Sequence, residues 1–352
     1  MIRKSLRIAQ VAPLYESVPP VLYGGTERVV SYLTEELVAQ GHQVTLFASG
    51  DSHTAAEHVS VCEHALRLDP RNPEPVSFHV RQLEEVFRRA GNFDVIHFHV
   101  DAMHLPLTRL HAVPALTTLH GRLDLPGLDA LYREFSEHPL VSISNAQRLA
   151  LPHAHWVGTV YHGLPLALHA PGPGTGGYLA FLGRVSPEKR VDRAIAIARR
   201  TGIPLKIAAK VDRVDRDYFA ARIEPAIDGT LIEYIGEIGE RDKTTFLGEA
   251  LALLFPIDWP EPFGLSMIES MACGTPVIAF RCGSVPEVID EGVTGYVVDD
   301  LTAAVERIER VRELDRGACR AAFEKRFSAA RMARDYCAVY ELLGETRWSL
   351  RA

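Results

Sequence analysis

Three short stretches hold residue types that could do chemistry. The densest is DWPEPFGLSMIESMACG, residues 258–274. Glu261 stands between Pro260 and Pro262, which favour an extended loop because proline and the residue before it both resist helix. Glu269 follows eight residues later, inside a helix expected over 266–273. Such a helix start points unpaired N–H groups and the positive end of the dipole outward, ready for a phosphate or an electron-rich hydroxyl. The same letters allow a second reading. Ser266-Met267-Ile268-Glu269 has the spacing of a capping box, in which Glu269 only folds back on the helix start.

The second stretch is Gly183-Arg184-Val185-Ser186-Pro187-Glu188-Lys189-Arg190, directly after an expected strand. Arg184 and Lys189 bracket a turn entering a helix, where two cations could clamp a diphosphate. Alternatively this is a solvated helix start, with Glu188 and Asp192 as its N-terminal acids. The third stretch is Tyr23-Gly24-Gly25-Thr26-Glu27, where two glycines would let backbone approach a ligand at a helix N-terminus. It is not G-x-G-x-x-G, so no dinucleotide fingerprint follows. The glycines of residues 172–177 precede a strand rather than follow one, which is the wrong context for that motif.

The elements that must position these residues alternate between strand and helix. Residues 7–12, 43–48, 94–98 and 115–119 read as short buried strands, with amphipathic helices over 26–40 and 82–90. A second series follows. Strands are expected at 178–182, 205–209, 231–235, 252–256, 276–280 and 295–298, and helices at 191–200, 219–227, 243–250 and 266–273. The tail from 301 is helical, with breaks near 315–317 and 327–328. Strands alternating with helices imply βαβ units and parallel sheets. The segment HAPGPGTGGY, residues 169–178, is the best linker candidate. The expected division is therefore residues 1–170, 171–327 and a helical tail, 328–352. Two similar α/β domains imply a ligand cleft at the carboxyl ends of their strands.

Composition narrows the class. The chain has 352 residues, enough for two domains, and 47% of them are apolar. A net charge of −7, shared evenly by the two halves, offers no basic field for nucleic acid. Five scattered cysteines with no C-x-x-C pair suit reduced thiols better than a disulfide framework. No apolar stretch approaches the roughly 20 residues of a spanning helix, and the short run before Pro13 does not make a signal segment. These features point to a soluble, cytoplasmic protein. All fifteen histidines lie in the first 169 residues, whereas of six lysines only Lys4 precedes Lys189. The composition therefore shifts at the expected linker.

Taken in order, the residues resemble the GT-B glycosyltransferases of family GT4, which are retaining and sugar-nucleotide dependent. Gly24-Gly25, Gly183-Arg184 with Lys189, and Glu-x7-Glu at Glu261 and Glu269 carry the likeness. Asp94-Val95-Ile96-His97-Phe98-His99, VSISNAQ at 141–147, Gly283-Ser284-Val285-Pro286-Glu287 and GVTGYVV at 292–298 extend it over essentially the whole chain. The resemblance implies two Rossmann-like domains facing across a cleft, with the C-terminal helix crossing back to the N-terminal, acceptor-binding domain. It implies that Glu261 contacts the transferred sugar and Glu269 the nucleotide ribose. Arg184 and Lys189 would hold the diphosphate, joined by the backbone N–H groups of Phe263, Gly264 and Leu265. Gly25, beside Gly24, would lie near the diphosphate and His120 beside the donor sugar. The catalytic set is then Glu261, His120, Arg184 and Lys189. No cofactor or metal is implied, and the donor is a nucleotide-sugar with UDP as the default. The acceptor is an unidentified hydroxyl, and a lipid acceptor would bring peripheral contact with the inner membrane face. In two places the chain departs from the family. Arg190 follows Lys189 where glycine is common, which adds a cation near the diphosphate, and Cys282-Gly283-Ser284 replaces a common Gly-Gly.

Other groupings are weaker. His97, His99 and His104 with Asp101 could suggest a metal, since residues two apart share a strand face. Without a second ligand set they read instead as histidines at the edge of a cleft. Asp215-Arg216-Asp217 resembles a D-x-D metal motif but reads as a solvated loop or helix start. No lysine motif for pyridoxal phosphate stands out. An isomerase of the same build, such as a UDP-sugar 2-epimerase, and a non-catalytic nucleotide-sugar binder are the alternative functions.

Overall fold

Short apolar runs separated by amphipathic helices leave little choice but parallel pairing through crossovers, and two separate sheets result. The computed structural model describes residues 5–67, 69–71 and 74–349. It divides into two units, the first spanning Met1–Gly163 with Ala329–Ala352, the second Leu164–Ser328.

In the first unit, β1 (Arg7–Val11), β2 (Gln43–Phe47), β3 (Glu57–Val59), β4 (Val95–Phe98), β5 (Ala115–Thr118), β6 (Leu140–Ser142) and β7 (Trp156–Thr159) form one sheet, ordered β3-β2-β1-β4-β5-β6-β7. Every paired register is parallel. The sequence reading identified β1, β2, β4 and β5 but not β3, β6 or β7. Those are only three or four residues long, and β3 and β7 bury no residue fully, so no apolar run marks them. Strand alternation then sorts the side chains. Ala9, Val11, Ile96 and Phe98 pack against Leu83, Val86 and Phe87 of the helix Pro75–Arg88 on one face. Gln10, His97 and His99 therefore go to the other face. There they meet the last helix, Ala329–Ser349, through Tyr340.

In the second unit, β8 (Leu179–Arg184), β9 (Leu205–Lys210), β10 (Ile232–Gly236), β11 (Ala252–Phe255), β12 (Val277–Phe280) and β13 (Gly295–Val298) form a parallel sheet ordered β10-β9-β8-β11-β12-β13. Its core is the apolar set that includes Leu179, Phe181, Ile195, Ile207, Ile232, Leu254 and Ile278. The helix Val191–Thr201 ends at Gly202, which adopts the left-handed conformation expected of a helix stop. The helix expected over 219–227 is not regular. Phe219–Ile223 is a π-helical turn and Glu224–Ala226 a 3-10 turn, where Pro225 removes a backbone donor. Three helices close the chain, Leu301–Arg310, Arg316–Arg326 and Ala329–Ser349, with breaks where the sequence placed them.

In both sheets the strand order reverses direction beside the first strand, between β1 and β4 and between β8 and β11. Loops diverge there at the carboxyl ends, which is where open α/β sheets bind ligands. Residues 169–178 do not behave as a free linker. The N–H groups of Gly172, Gly174 and Gly176 donate to the carbonyls of Cys273, Gly248 and Glu249. A Cβ on Gly172 would lie 2.4 Å from Gly248 backbone atoms. These glycines are needed for close backbone packing within the second unit, not for flexibility. His169 lies in this unit too, and the other fourteen histidines belong to the first.

Candidate active site

The switch point of the second sheet gathers the charged residues. Arg184 ends β8, and the turn Pro187–Lys189 follows it. Beyond β11 the chain runs without regular structure through Asp258-Trp259-Pro260-Glu261-Pro262, as the paired prolines dictate. The two loops are tied by Asp258 N–H donating to the Glu188 carbonyl at 2.8 Å. Lys189 Nζ pairs with Glu261 Oε2, and Trp259 Nε1 donates to the same oxygen at 2.9 Å. The ammonium also lies 5.1 Å from the Trp259 ring centroid and 5.8 Å from that of Phe255, within cation–π range. Both partners of this ion pair are partly buried, with side-chain exposures of 17% and 12%. The solvated-turn reading of Lys189 therefore fails.

Glu261 is held from behind by the loop at 282–284. Ser284 N–H donates to the Glu261 carbonyl at 3.0 Å, and Ser284 Oγ to the Phe263 carbonyl at 2.9 Å. Gly283 has φ +53°, and a Cβ there would sit 2.4 Å from the Glu261 backbone. The departure from Gly-Gly thus falls on positions that tolerate side chains, while the one that cannot is still glycine.

The helix Leu265–Ala272 opens behind Gly264, whose φ of +83° and contact with Phe255 exclude a side chain. No side chain caps this helix. The capping-box reading of Glu269 is not realised, because its carboxylate turns to Lys243 Nζ at 2.7 Å. Lys243 also reaches Glu240 at 3.3 Å, and His169 Nε2 lies 3.1 Å from Glu240. His169, Glu240 and Glu269 bring ligand-type atoms within 4.8 Å of one another. The Lys243 ammonium already supplies that cluster's positive charge.

Arg184 faces a different set of acids from Lys189. Its guanidinium bonds Glu188 at 2.6 Å and Asp212 at 3.5 Å, and lies 3.9 Å from Asp215. Asp215 is buried, and burial pushes its carboxyl up from the ordinary value, so the solvated reading of residues 215–217 is wrong for Asp215. Arg190 is the only non-glycine residue with positive φ, at 53°, among those described. That explains why glycine suits this position. Its guanidinium is bound at 2.9 Å by Asp192 and at 2.6 Å by Asp258. Through these ion pairs it ties the turn to the loop.

In the first unit, Gly24 caps the helix Gly25–Ala39 with φ 155°, and a Cβ there would meet Pro20 at 2.8 Å. Glu27, in the first turn, is buried, and its pKa is raised to about 7 chiefly by desolvation. His120 follows β5. Its Nε2 lies 2.9 Å from His99 Nδ1, and its ring stacks on His162. Burial holds His120 far below the ordinary imidazole value, at about 3. The histidines that hinted at a metal are otherwise engaged. His97 bonds Tyr340 and Thr118, and His104 bonds Thr117, at 2.6–2.8 Å. The sequence reading missed Lys243, Trp259 and Gln10 as site neighbours, and it placed His99 only among histidines at the edge of a cleft. Only His99 carried a signal, its place on the same strand face as His97.

Two parallel α/β units with charged loops at a strand-order reversal are the architecture of GT-B glycosyltransferases. A solved structure of AviGT4, a glycosyltransferase of avilamycin A biosynthesis, shares it at TM-score 0.72 and 23% identity, covering 97% of this chain and 98% of that one. HepE of Anabaena, solved with UDP and glucose, matches at TM-score 0.73 and 15% identity, covering 96% and 99%. Residues 171–327 match the model described as glycosyl transferases group 1, and residues 23–160 that of glycosyltransferase family 4. The chain belongs to glycosyltransferase family 4 and is a glycosyltransferase. A curated relative, D-inositol 3-phosphate glycosyltransferase of Pseudarthrobacter chlorophenolicus, is 27% identical over 336 residues, 80% of each chain.

Proposed function

We propose that this glycosyltransferase moves a hexosyl group from a nucleotide-sugar, with UDP as the nucleotide, to a hydroxyl acceptor, keeping the anomeric configuration and using no metal ion. The observation that carries this reading is the partly buried Lys189–Glu261 pair at the second unit's switch point. Cleaving a glycosyl–phosphate bond puts negative charge on the departing diphosphate and positive charge on the anomeric carbon. Lys189, Arg184 and the N–H groups of Phe263, Gly264 and Leu265 at the helix start answer the first charge. In the unliganded protein Glu188 and Glu261 balance the two cations. The diphosphate competes for them, and Glu261 is released towards the sugar hydroxyls. Glu269 takes the ribose hydroxyls, oriented by Lys243, and Gly24 and Gly25 leave room for backbone beside the diphosphate.

Retention follows if the acceptor attacks the face the diphosphate leaves, with a phosphate oxygen taking the acceptor's proton. Glu261 is then a positioning group rather than a nucleophile, and the two-carboxylate scheme of glycosidases does not apply. The UDP and glucose named for HepE support the donor, and the inositol phosphate named for the curated relative supports a small polyol acceptor. Five free thiols favour a reducing, cytoplasmic setting, and among the described residues no helix is long and apolar enough to cross a membrane. The test is a donor screen in EDTA with proton NMR of the first product. Donor turnover with retained anomeric configuration is expected. Inversion, strict metal dependence, or interconversion of the free nucleotide-sugar as an isomerase would perform it would each overturn the proposal.

A further inference from the structure

The face of the first sheet opposite the apolar helix carries a buried chain of hydrogen bonds with a direction. Gln10, fully buried on β1, donates from Nε2 to Tyr340 Oη at 3.1 Å. Tyr340 Oη lies 2.8 Å from His97 Nδ1, and His97 Nε2 lies 2.7 Å from Thr118 Oγ1. The other end of the Gln10 amide is therefore its oxygen, which lies 2.7 Å from His99 Nε2. An amide oxygen only accepts, so His99 carries its proton on Nε2. Burial keeps His99 neutral, which leaves a bare lone pair on its Nδ1. The 2.9 Å contact with His120 can then be made only by His120 donating from Nε2. His120, also neutral through burial, is left with an unprotonated Nδ1. That atom is buried and has no hydrogen-bond partner among the described residues.

We infer that Gln10 and His99 fix His120 as its Nε2–H tautomer, so that its Nδ1 stands as an obligate acceptor for a hydroxyl of the bound donor sugar. This rests on the proposed placement of His120 beside that sugar. A buried acceptor left unmade is costly, and a sugar hydroxyl donating to it recovers that cost on binding. The same ring in the other tautomer would present N–H and could only donate to that hydroxyl, reversing the bond. Gln10 and His99 are thus positioning residues. They act on the sugar only through the proton they deny to His120 Nδ1.

The first test reads the tautomer in the full-length unliganded protein, by nitrogen-15 NMR of histidine-labelled material. The His120 signals are assigned by their loss in His120→Gln. A neutral ring protonated at Nε2 is expected, and protonation at Nδ1 overturns the inference. The second test compares His99→Phe, which cannot accept from His120, with His99→Asn, whose amide oxygen can. His99→Phe should lower kcat for donor hydrolysis roughly tenfold, the worth of about one oriented hydrogen bond, with UDP affinity unchanged, and His99→Asn should recover most of it. Equal losses in both variants would reduce His99 to a packing role and overturn the inference. Absence of donor turnover in the unmodified protein would instead count against the proposed transfer, and the tautomer result would stand by itself.

Discussion

At their strand ends the two units pair polar groups by opposite means. The first does it with neutral rings. Gln10, His97, His99, His104, His120 and His138 are linked by hydrogen bonds of 2.6–3.1 Å to one another and to Thr117, Thr118 and Tyr340. The second does it with ion pairs, Lys189–Glu261, Lys243–Glu269 and Arg184–Glu188. The difference has a functional meaning. A neutral network has one proton per contact and so stores direction, which suits the reading of a hydroxyl. An ionic network stores charge that an incoming anion can take over, which suits a diphosphate. Each also fails in its own way, neutral rings when acid forces charge on them and ion pairs when one partner is removed.

Removing one partner should give the largest effect. Glu261→Ala is expected to lower donor turnover by on the order of 10³-fold, while nucleotide affinity holds or improves because Lys189 is freed for the diphosphate. Near-normal turnover would dissolve the functional contrast between the units.

Acid should separate them next. Imidazoles held below their ordinary 6.5 stay neutral in the fold and protonate readily in the unfolded chain. Stability therefore falls as pH drops below about 6.5. His138, lowered to about 4 by burial, contributes on the order of 3 kcal/mol to that loss, at about 1.4 kcal/mol per tenfold change in proton affinity. Glu27 works the other way. Its carboxyl is raised to about 7, so its contribution is full below about 4.5 and lost as pH rises through about 7, and Glu27→Gln removes this opposing slope. In the second unit, Glu188 and Asp212 are carboxyls whose partners hold them below their ordinary values. What they contribute is lost only at pH below about 4. Hydrogen exchange at pH 5 should show protection falling first in the first unit. Simultaneous loss would refute the distinction.

The smallest effect belongs to Arg190. Arg190→Gly relieves a left-handed backbone worth about 1 kcal/mol and gives up partly exposed pairs to Asp192 and Asp258 of similar worth. Denaturation midpoints should move little, and UDP affinity should not change. A marked loss of UDP affinity would return Arg190 to the diphosphate.

Much of this was legible in the chain because periodicity and proline act locally. The reading found ten of the thirteen strands and missed only short β3 at an edge, β6 and β7, where three or four residues leave no pattern to detect. Glu261 was legible because its two prolines forbid helix. The partners of the acids were not. Lys243 lies 26 residues from Glu269, Lys189 72 from Glu261, and Gln10 89 from His99, and no local rule relates residues so far apart. The histidine-rich half was visible as composition, but its last member, His169, folds with the second unit.

By itself the sequence determined two parallel α/β units, their order of elements, and which residue types stand at the strand ends. Hydrophobic period, capping and turn chemistry act over a few residues, and these suffice for that much. Only the tertiary structure decided what each of those residues faces. It turned Glu269 from a helix cap to a lysine, tied Arg190 to Asp192 and Asp258, and ordered the protons from Gln10 to His120. Those outcomes depend on which strands become neighbours in a sheet and on which face of it each side chain emerges, and the chain settles neither until it is folded.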